Sequence, residues 1–301
     1  MAQLSAILPR PAAERLRRLP LSRDQLMLLM AAINLLFLGL DTYLAHLISG
    51  TIRPREWIPV LFGPAAGITL LVAGLIALRR RQLATMLATV VLVASIVVGL
   101  MGAYFHFIRG TLPTAPLLQR ITIDLLVWAP PLVAPLVFSL VGLWGVSAAW
   151  VEDPPNSGRL RLLGDRTLQL PYSKTRAYLF MVSLGMLATV FSSVFDHART
   201  GFDNPWLWIP TVAGVFAVGV SAGLGVIKEP TRADVATHVA AMILLILVGV
   251  VGAYLHVRAD LVGRTAVVPE RFLRGAPFLA PLLFSNMGLL GLIALLDPRE
   301  R

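Results

Sequence analysis

The stretch His46–Pro59 reads HLISGTIRPREWIP, and the stretch His197–Pro210 reads HARTGFDNPWLWIP. Six of the fourteen positions are identical without a gap, each 151 residues after its counterpart: His46/His197, Gly50/Gly201, Pro54/Pro205, Trp57/Trp208, Ile58/Ile209 and Pro59/Pro210. The match extends outward at nearly the same spacing. Val98–His106 (VGLMGAYFH) returns 150 residues on as Val248–His256 (VGVVGAYLH). Pro131–Gly145 returns 146 residues on as Pro277–Gly291, keeping Ala134, Pro135, Leu136, Phe138, Ser139, Gly142 and Leu143 as Ala280, Pro281, Leu282, Phe284, Ser285, Gly288 and Leu289. Shared apolar composition does not align His, Trp, Pro and Gly in this way. The sequence therefore reads as a tandem duplication, and one half carries half of the fold.

The class of fold follows from composition. Of 301 residues, 57% are hydrophobic and 14% charged, with a mean hydropathy of +0.77. A soluble domain carries about a quarter charged residues, so a water-soluble globule and a disordered chain are both excluded. Runs of about 20 apolar residues suffice to cross the hydrocarbon core as helices. Eight are read: Gln25–Leu47, Trp57–Leu78, Ala84–Ile108, Thr122–Trp150, Thr175–Phe195, Trp206–Ile227, Asp234–Val257 and Phe272–Leu296. The expected fold is an all-α polytopic membrane protein of eight transmembrane helices, formed by two parallel tandem four-helix repeats. Four crossings restore the chain's orientation, so the repeats are related by an axis along the membrane normal rather than inverted. The divisions are an N-terminal tail (1–21), the first repeat (22–150), a polar linker (151–172) and the second repeat (173–298). In the linker, Arg159–Leu162 and Thr167–Leu170 alternate in polarity about Gly164-Asp165, a hairpin signal.

The formal charge is +10, from 26 Lys and Arg against 16 Asp and Glu. In a soluble chain that excess would suggest nucleic acid. Here it lies between apolar segments, and no nucleic-acid partner is expected. Seventeen of the basic residues fall on the side of the N-terminus, Arg79–Arg81 and the linker, and nine on the other. By the positive-inside rule both termini are cytoplasmic, in a bacterial-type inner membrane. No cleavable signal peptide is read, because the first apolar run is too long for one. Cysteine is absent, which removes disulfides, iron–sulfur clusters and thiolate metal sites. No P-loop, dinucleotide or metalloprotease motif is present.

Any site must therefore come from the repeated polar residues. Four of the five histidines form the pairs His46/His197 and His106/His256, all at the outer ends of odd-numbered helices. One role is to cap carbonyls at a helix C-terminus. The other is to ligate a cofactor, haem b or a transition metal, since imidazole is the commonest metal ligand. The first and third helices of a four-helix bundle lie diagonally across its core, a geometry that lets two His ligate one haem. Gly99, Gly102 and His106 share one helix face, as do Gly249, Gly252 and His256. Such a stripe admits a neighbouring backbone, or a flat ring such as haem or quinone. Tyr104 and Tyr254 stand about 200° round the helix from the histidines and are expected to face elsewhere.

Four prolines bear on the same end. Pro135 lacks an N–H and so frees the carbonyl of Pro131; Pro281 frees that of Pro277. Either a kinked helix or a carbonyl-lined cavity would follow. Trp57 and Trp208 fit an interfacial belt or a ring that stacks on a ligand. Asp41 is the deepest ionisable group and a functional candidate for that reason. Asp196, beside His197, is a candidate to orient it, and tips the choice of working site towards the second repeat. Three classes of function fit: a redox-type subunit binding haem, metal or quinone and working with membrane or outer-face redox partners; a transporter or channel with a path between the repeats; and a structural or assembly subunit. No complete catalytic motif points to an enzyme.

Overall fold

The computed structural model describes residues 19–48, 50–162, 166–261 and 268–298, with 4, 7, 9, 11, 14 and 15 before them. Ten helices are defined in these residues: α1 (Arg23–Ile48), α2 (Trp57–Ala77), α3 (Arg81–Arg109), α4 (Ile123–Trp128), α5 (Leu136–Ala149), α6 (Lys174–Ala198), α7 (Trp208–Val226), α8 (Arg232–Leu261), α9 (Pro269–Arg274) and α10 (Leu282–Ala294). Six are long and apolar enough to cross a membrane: α1, α2, α3, α6, α7 with the 3-10 turn Pro205–Leu207 before it, and α8. The protein is a multi-pass, all-helical membrane protein.

Polar residues set the helix starts. Ser22 and Gln25 cap α1 reciprocally: the Gln25 N–H donates to Ser22 Oγ at 3.3 Å, and the Ser22 N–H to Gln25 Oε1 at 2.8 Å. Thr231 and Asp234 do the same for α8. Ser173 starts α6, accepting from the Arg176 N–H. At the far ends of α1 and α6 the chain turns through Gly50 and Gly201, both at positive φ (100° and 66°), where glycine carries no steric penalty.

The expected spans Thr122–Trp150 and Phe272–Leu296 are not continuous helices. Each is broken, into α4 and α5 and into α9 and α10, and prolines are the cause. Pro130, Pro131 and Pro135 lie between α4 and α5, and Pro277 and Pro281 between α9 and α10. Each removes a donor, and its ring crowds the preceding turn. The 14-residue α5 and 13-residue α10 extend roughly 20 Å, short of a hydrocarbon core of about 30 Å. The non-helical backbone of each break packs against α3 at Gly99 and Gly102, or against α8 at Gly249 and Gly252.

Helices α1, α2, α3 and α5 pack in a ring: α1 touches α2 and α5, and α3 touches α2 and α5. Helices α6, α7, α8 and α10 form a second ring with the same neighbours. The rings meet where α10 touches α1 and α5 touches α6. Met27, Leu35, Tyr178, Met186, Met242 and Leu290 are fully buried at the centre, while Val90, Val97, Val212 and Leu247 face outward. This inside-out surface is what a lipid solvent demands.

Two glycines set how closely α5 and α10 approach. A Cβ at Gly99 would collide with the Ser139 backbone and side chain and the Pro135 carbonyl. One at Gly249 would collide with Ser285 and the Pro281 carbonyl. Ser139 Oγ donates to the Ile96 carbonyl at 2.9 Å, and Ser285 Oγ to that of Ile246 at 2.8 Å. Between the rings folds a three-stranded antiparallel sheet: β1 (Val151–Glu152), β2 (Arg159–Arg161) and β3 (Thr167–Gln169). Arg159 pairs with Gln169 and Leu160 with Leu168. The Gly164-Asp165 turn expected there lies outside the described residues.

Candidate functional site

The histidines gather where α1, α3, α6 and α8 end. His46, on α1, donates from Nδ1 to the Thr42 carbonyl one turn back, at 2.8 Å. His106, on α3, donates from Nδ1 to the Pro131 carbonyl at 2.9 Å. That is the carbonyl Pro135 leaves without a helical donor. The arrangement recurs in the second half, where His256 on α8 donates from Nδ1 to the Pro277 carbonyl at 3.0 Å. Each break in the backbone is thus bonded by an imidazole from the helix beside it. A neutral ring that donates from Nδ1 carries its lone pair on Nε2, the atom that ligates a metal.

The diagonal geometry brings the first pair together. The His46 and His106 ring centres are 6.3 Å apart, with planes at 64°. Two imidazole nitrogens at about 2.0–2.1 Å on opposite sides of one metal put their ring centres about 6 Å apart. His197 and His256 lie within electrostatic reach of each other, but the second pair is furnished differently. The Ser193 hydroxyl lies 3.4 Å from His197 Nδ1. The Phe202 ring stands edge-on 6.0 Å from His197 and stacks on Trp208 at 4.4 Å. Thr51 occupies the position matching Phe202.

Asp196 pairs with Arg199 at 3.7 Å and also lies within electrostatic reach of His197. Arg199 in turn donates to the carbonyls of Val127 (2.9 Å), in the last turn of α4, and Ala129 (3.3 Å), just beyond it. Tyr104 and Tyr254 are 60% and 63% exposed and face away from the histidines. Trp57 is exposed, with Tyr43 at 6.3 Å. Trp208 stacks on this chain's own Phe202 rather than offering an open face. Asp41 lies on the exposed side of α1, without a partner among the described residues.

The glycine stripes hold backbone, not a flat ring. Pro135 and Ser139 fill the space over Gly99 and Gly102, and Pro281 and Ser285 that over Gly249 and Gly252. A haem or quinone laid on either stripe has no room. Among the described residues, no three His, Cys, Asp or Glu side chains come together as a metal site. A metal between His46 and His106 would draw its other ligands from a macrocycle or solvent.

Sequence reasoning missed two polar clusters. At the end opposite the histidines, Lys174 is fully buried; its Nζ donates to Asp24 Oδ2 at 2.6 Å and to the Trp150 carbonyl. Arg23, also buried, reaches Thr175 Oγ1 at 2.7 Å, and Tyr178 donates to Asp24 Oδ1 at 3.0 Å. Glu152 Oε1 accepts from the N–H groups of Gly158 and Lys174, tying the sheet to α6. Arg23 and Lys174 follow Ser22 and Ser173 at the repeat spacing, a signal that was present in the sequence. The second cluster is Asn34 and Asn286, which exchange amide hydrogen bonds of 3.0 and 2.8 Å between α1 and α10. A comparison with known proteins finds no family model, no curated protein and no solved structure that matches this chain.

Proposed function

We propose that the protein is a redox-type inner-membrane subunit. In this reading it consists of two parallel four-crossing repeats, with the proline-broken passages as its fourth and eighth crossings. It holds one metal centre, haem iron or a bare transition ion, between His46 and His106 at its outer end. It passes electrons there to membrane or outer-face partners. The observation that carries the reading is the 6.3 Å approach of two rings from diagonal helices, each with Nδ1 committed to a backbone carbonyl. Such a bond fixes the tautomer and orientation of a metal-binding histidine. The repeat is supported by contacts that recur at matched positions: His106 to Pro131 and His256 to Pro277, Ser139 to Ile96 and Ser285 to Ile246.

The test is the absorption spectrum and metal content of protein purified from cells supplied with iron, copper and haem. A bound centre is expected. His46→Ala and His106→Ala should each remove it, and His256→Ala should leave it. Colourless, metal-free wild-type protein overturns the proposal.

A structural role has an observation of its own, the imidazole–carbonyl bond that closes each proline break, and in the second half, where Phe202 covers His197, it is the better reading. A transport path between the repeats gains no support from the contacts across the seam. Asn34 meets Asn286 on one side, and Leu140 lies against Gly185 on the other.

A further inference from the structure

The first half opens at its histidine end. Thr51, Arg53, Glu56 and Arg109 line a polar opening of about 370 Å³. Thr51, Arg53 and Glu56 come from the α1–α2 connection, and Arg109 is the last residue of α3, one turn beyond His106. Glu56 is held in place: its Oε1 pairs with Arg109 Nη1 at 3.3 Å, and its Oε2 accepts from the Arg53 N–H at 2.8 Å. Its charge is thereby matched by Arg109. The Arg53 guanidinium has no partner among the described residues. Arg55 adds a third cation nearby, its guanidinium 5.2 Å from the centre of the Phe105 ring. The opening is cationic on balance, and a guanidinium fork matches the oxygens of a phosphate.

The corresponding positions in the second half carry none of these charges. At the repeat spacing, Phe202 replaces Thr51, Asn204 replaces Arg53, Leu207 replaces Glu56 and Ala259 replaces Arg109. Phe202 fills the space by stacking on Trp208. The matching positions thus hold a stacked aromatic ring in one half and arginines beside an opening in the other. We infer that this opening is an anion site that takes a phosphate group on Arg53 and Arg109. Trp57, exposed at the start of α2, marks the membrane–water interface, where phosphate is supplied both by lipid headgroups and by the aqueous phase. The site does not depend on the metal proposed above.

The test uses full-length protein with two probes. Inorganic phosphate is titrated calorimetrically in neutral detergent. Phospholipid retained from phosphatidylglycerol nanodiscs is counted by native mass spectrometry. Arg53→Gln should weaken binding by about tenfold or more, the range for losing a charged hydrogen bond. Thr51→Phe, which copies the second half and keeps both arginines, should abolish binding. Phosphate binding lost in both variants identifies a free phosphate ligand. Retained lipid lost in both, with inorganic phosphate silent, identifies a headgroup. If both variants match wild type with both probes, the inference is overturned. Unchanged thermal unfolding without ligand shows that the variants are folded. His106→Ala should leave both readouts intact, so failure here and failure of the metal reading are separable.

Discussion

His106 and His256 occupy matching places, yet the two halves assign them different weight. Each donates to a carbonyl that a proline has deprived of its helical partner. Removing such a donor forfeits the net worth of one hydrogen bond, about 0.5–1.5 kcal/mol. His106→Ala and His256→Ala should therefore lower thermal stability by similar amounts. Only the first should change a metal held between His46 and His106, whose ring centres are 6.3 Å apart. Equal loss of a bound centre in both variants would show that the halves work alike. The freed carbonyls could be named from the sequence, since a proline's missing N–H is a local fact. Their partner could not, because it lies 25 residues earlier in the first half and 21 in the second. It is set by how α3 and α8 cross the breaks. Asp196 shows the converse: adjacency to His197 in sequence suggested a dedicated partner, and its ion pair is with Arg199 one turn on.

Among the elements, the apolar lengths of α1, α2, α3, α6, α7 and α8 were legible from hydropathy alone. The stretches Thr122–Trp150 and Phe272–Leu296 were legible as apolar but not as broken, because hydropathy does not register a missing hydrogen bond. The glycines inside the helices were ambiguous in the same way, since spacing shows a small stripe but not what lies on it. The structure separates them. A methyl on Gly99 would strike the Ser139 backbone, whereas Gly74 of α2 faces open space. Gly99→Ala should force α5 away from α3 and cost about 1–3 kcal/mol. Gly74→Ala should be neutral or stabilising by up to about 1 kcal/mol, from helix propensity alone. Unfolding monitored by circular dichroism in detergent checks the pair. If Gly99→Ala unfolds like Gly74→Ala, the close approach of α3 and α5 is wrong.

At the scale of the molecule, two rings of helices meet along a seam whose two sides are chemically unlike. On one side Asn34 and Asn286 exchange hydrogen bonds. On the other, Gly185 and Leu140 hold the positions that the repeat spacing assigns to them. Asn34→Leu should leave the Asn286 amide unsatisfied and cost about 1–2 kcal/mol, near the upper end for polar contacts between membrane helices. Asn34→Gly with Asn286→Leu copies the other side and should recover most of that loss. A double-mutant cycle on thermal unfolding reads the coupling, and strictly additive effects would show that the two amides do not interact. The Arg23, Asp24 and Lys174 cluster belongs to this scale as well. Its basic members counted in the sequence only as topogenic charges, because their burial requires α1 and α6 to lie side by side.

Orientation is the remaining whole-molecule question, and the charge distribution bears on it directly. Seventeen lysines and arginines against nine favour placing Arg79–Arg81 and the linker in the cytoplasm. Some of that signal is not free to act as surface charge: Arg23 is 2% exposed and Lys174 not at all. Discounting both leaves fifteen against nine, still biased the same way. The Leu4 N–H donates to the Leu295 carbonyl at 2.9 Å, which supports an even number of crossings with both chain ends on one side. Reporter fusions after Arg81 and Arg166 should therefore report cytoplasm, and fusions after Arg109 and Arg199 the outer side. The reverse pattern would put the His46/His106 pair and the Arg53 opening on the cytoplasmic face. It would leave their geometry intact and replace an outer-face redox partner with a cytoplasmic one.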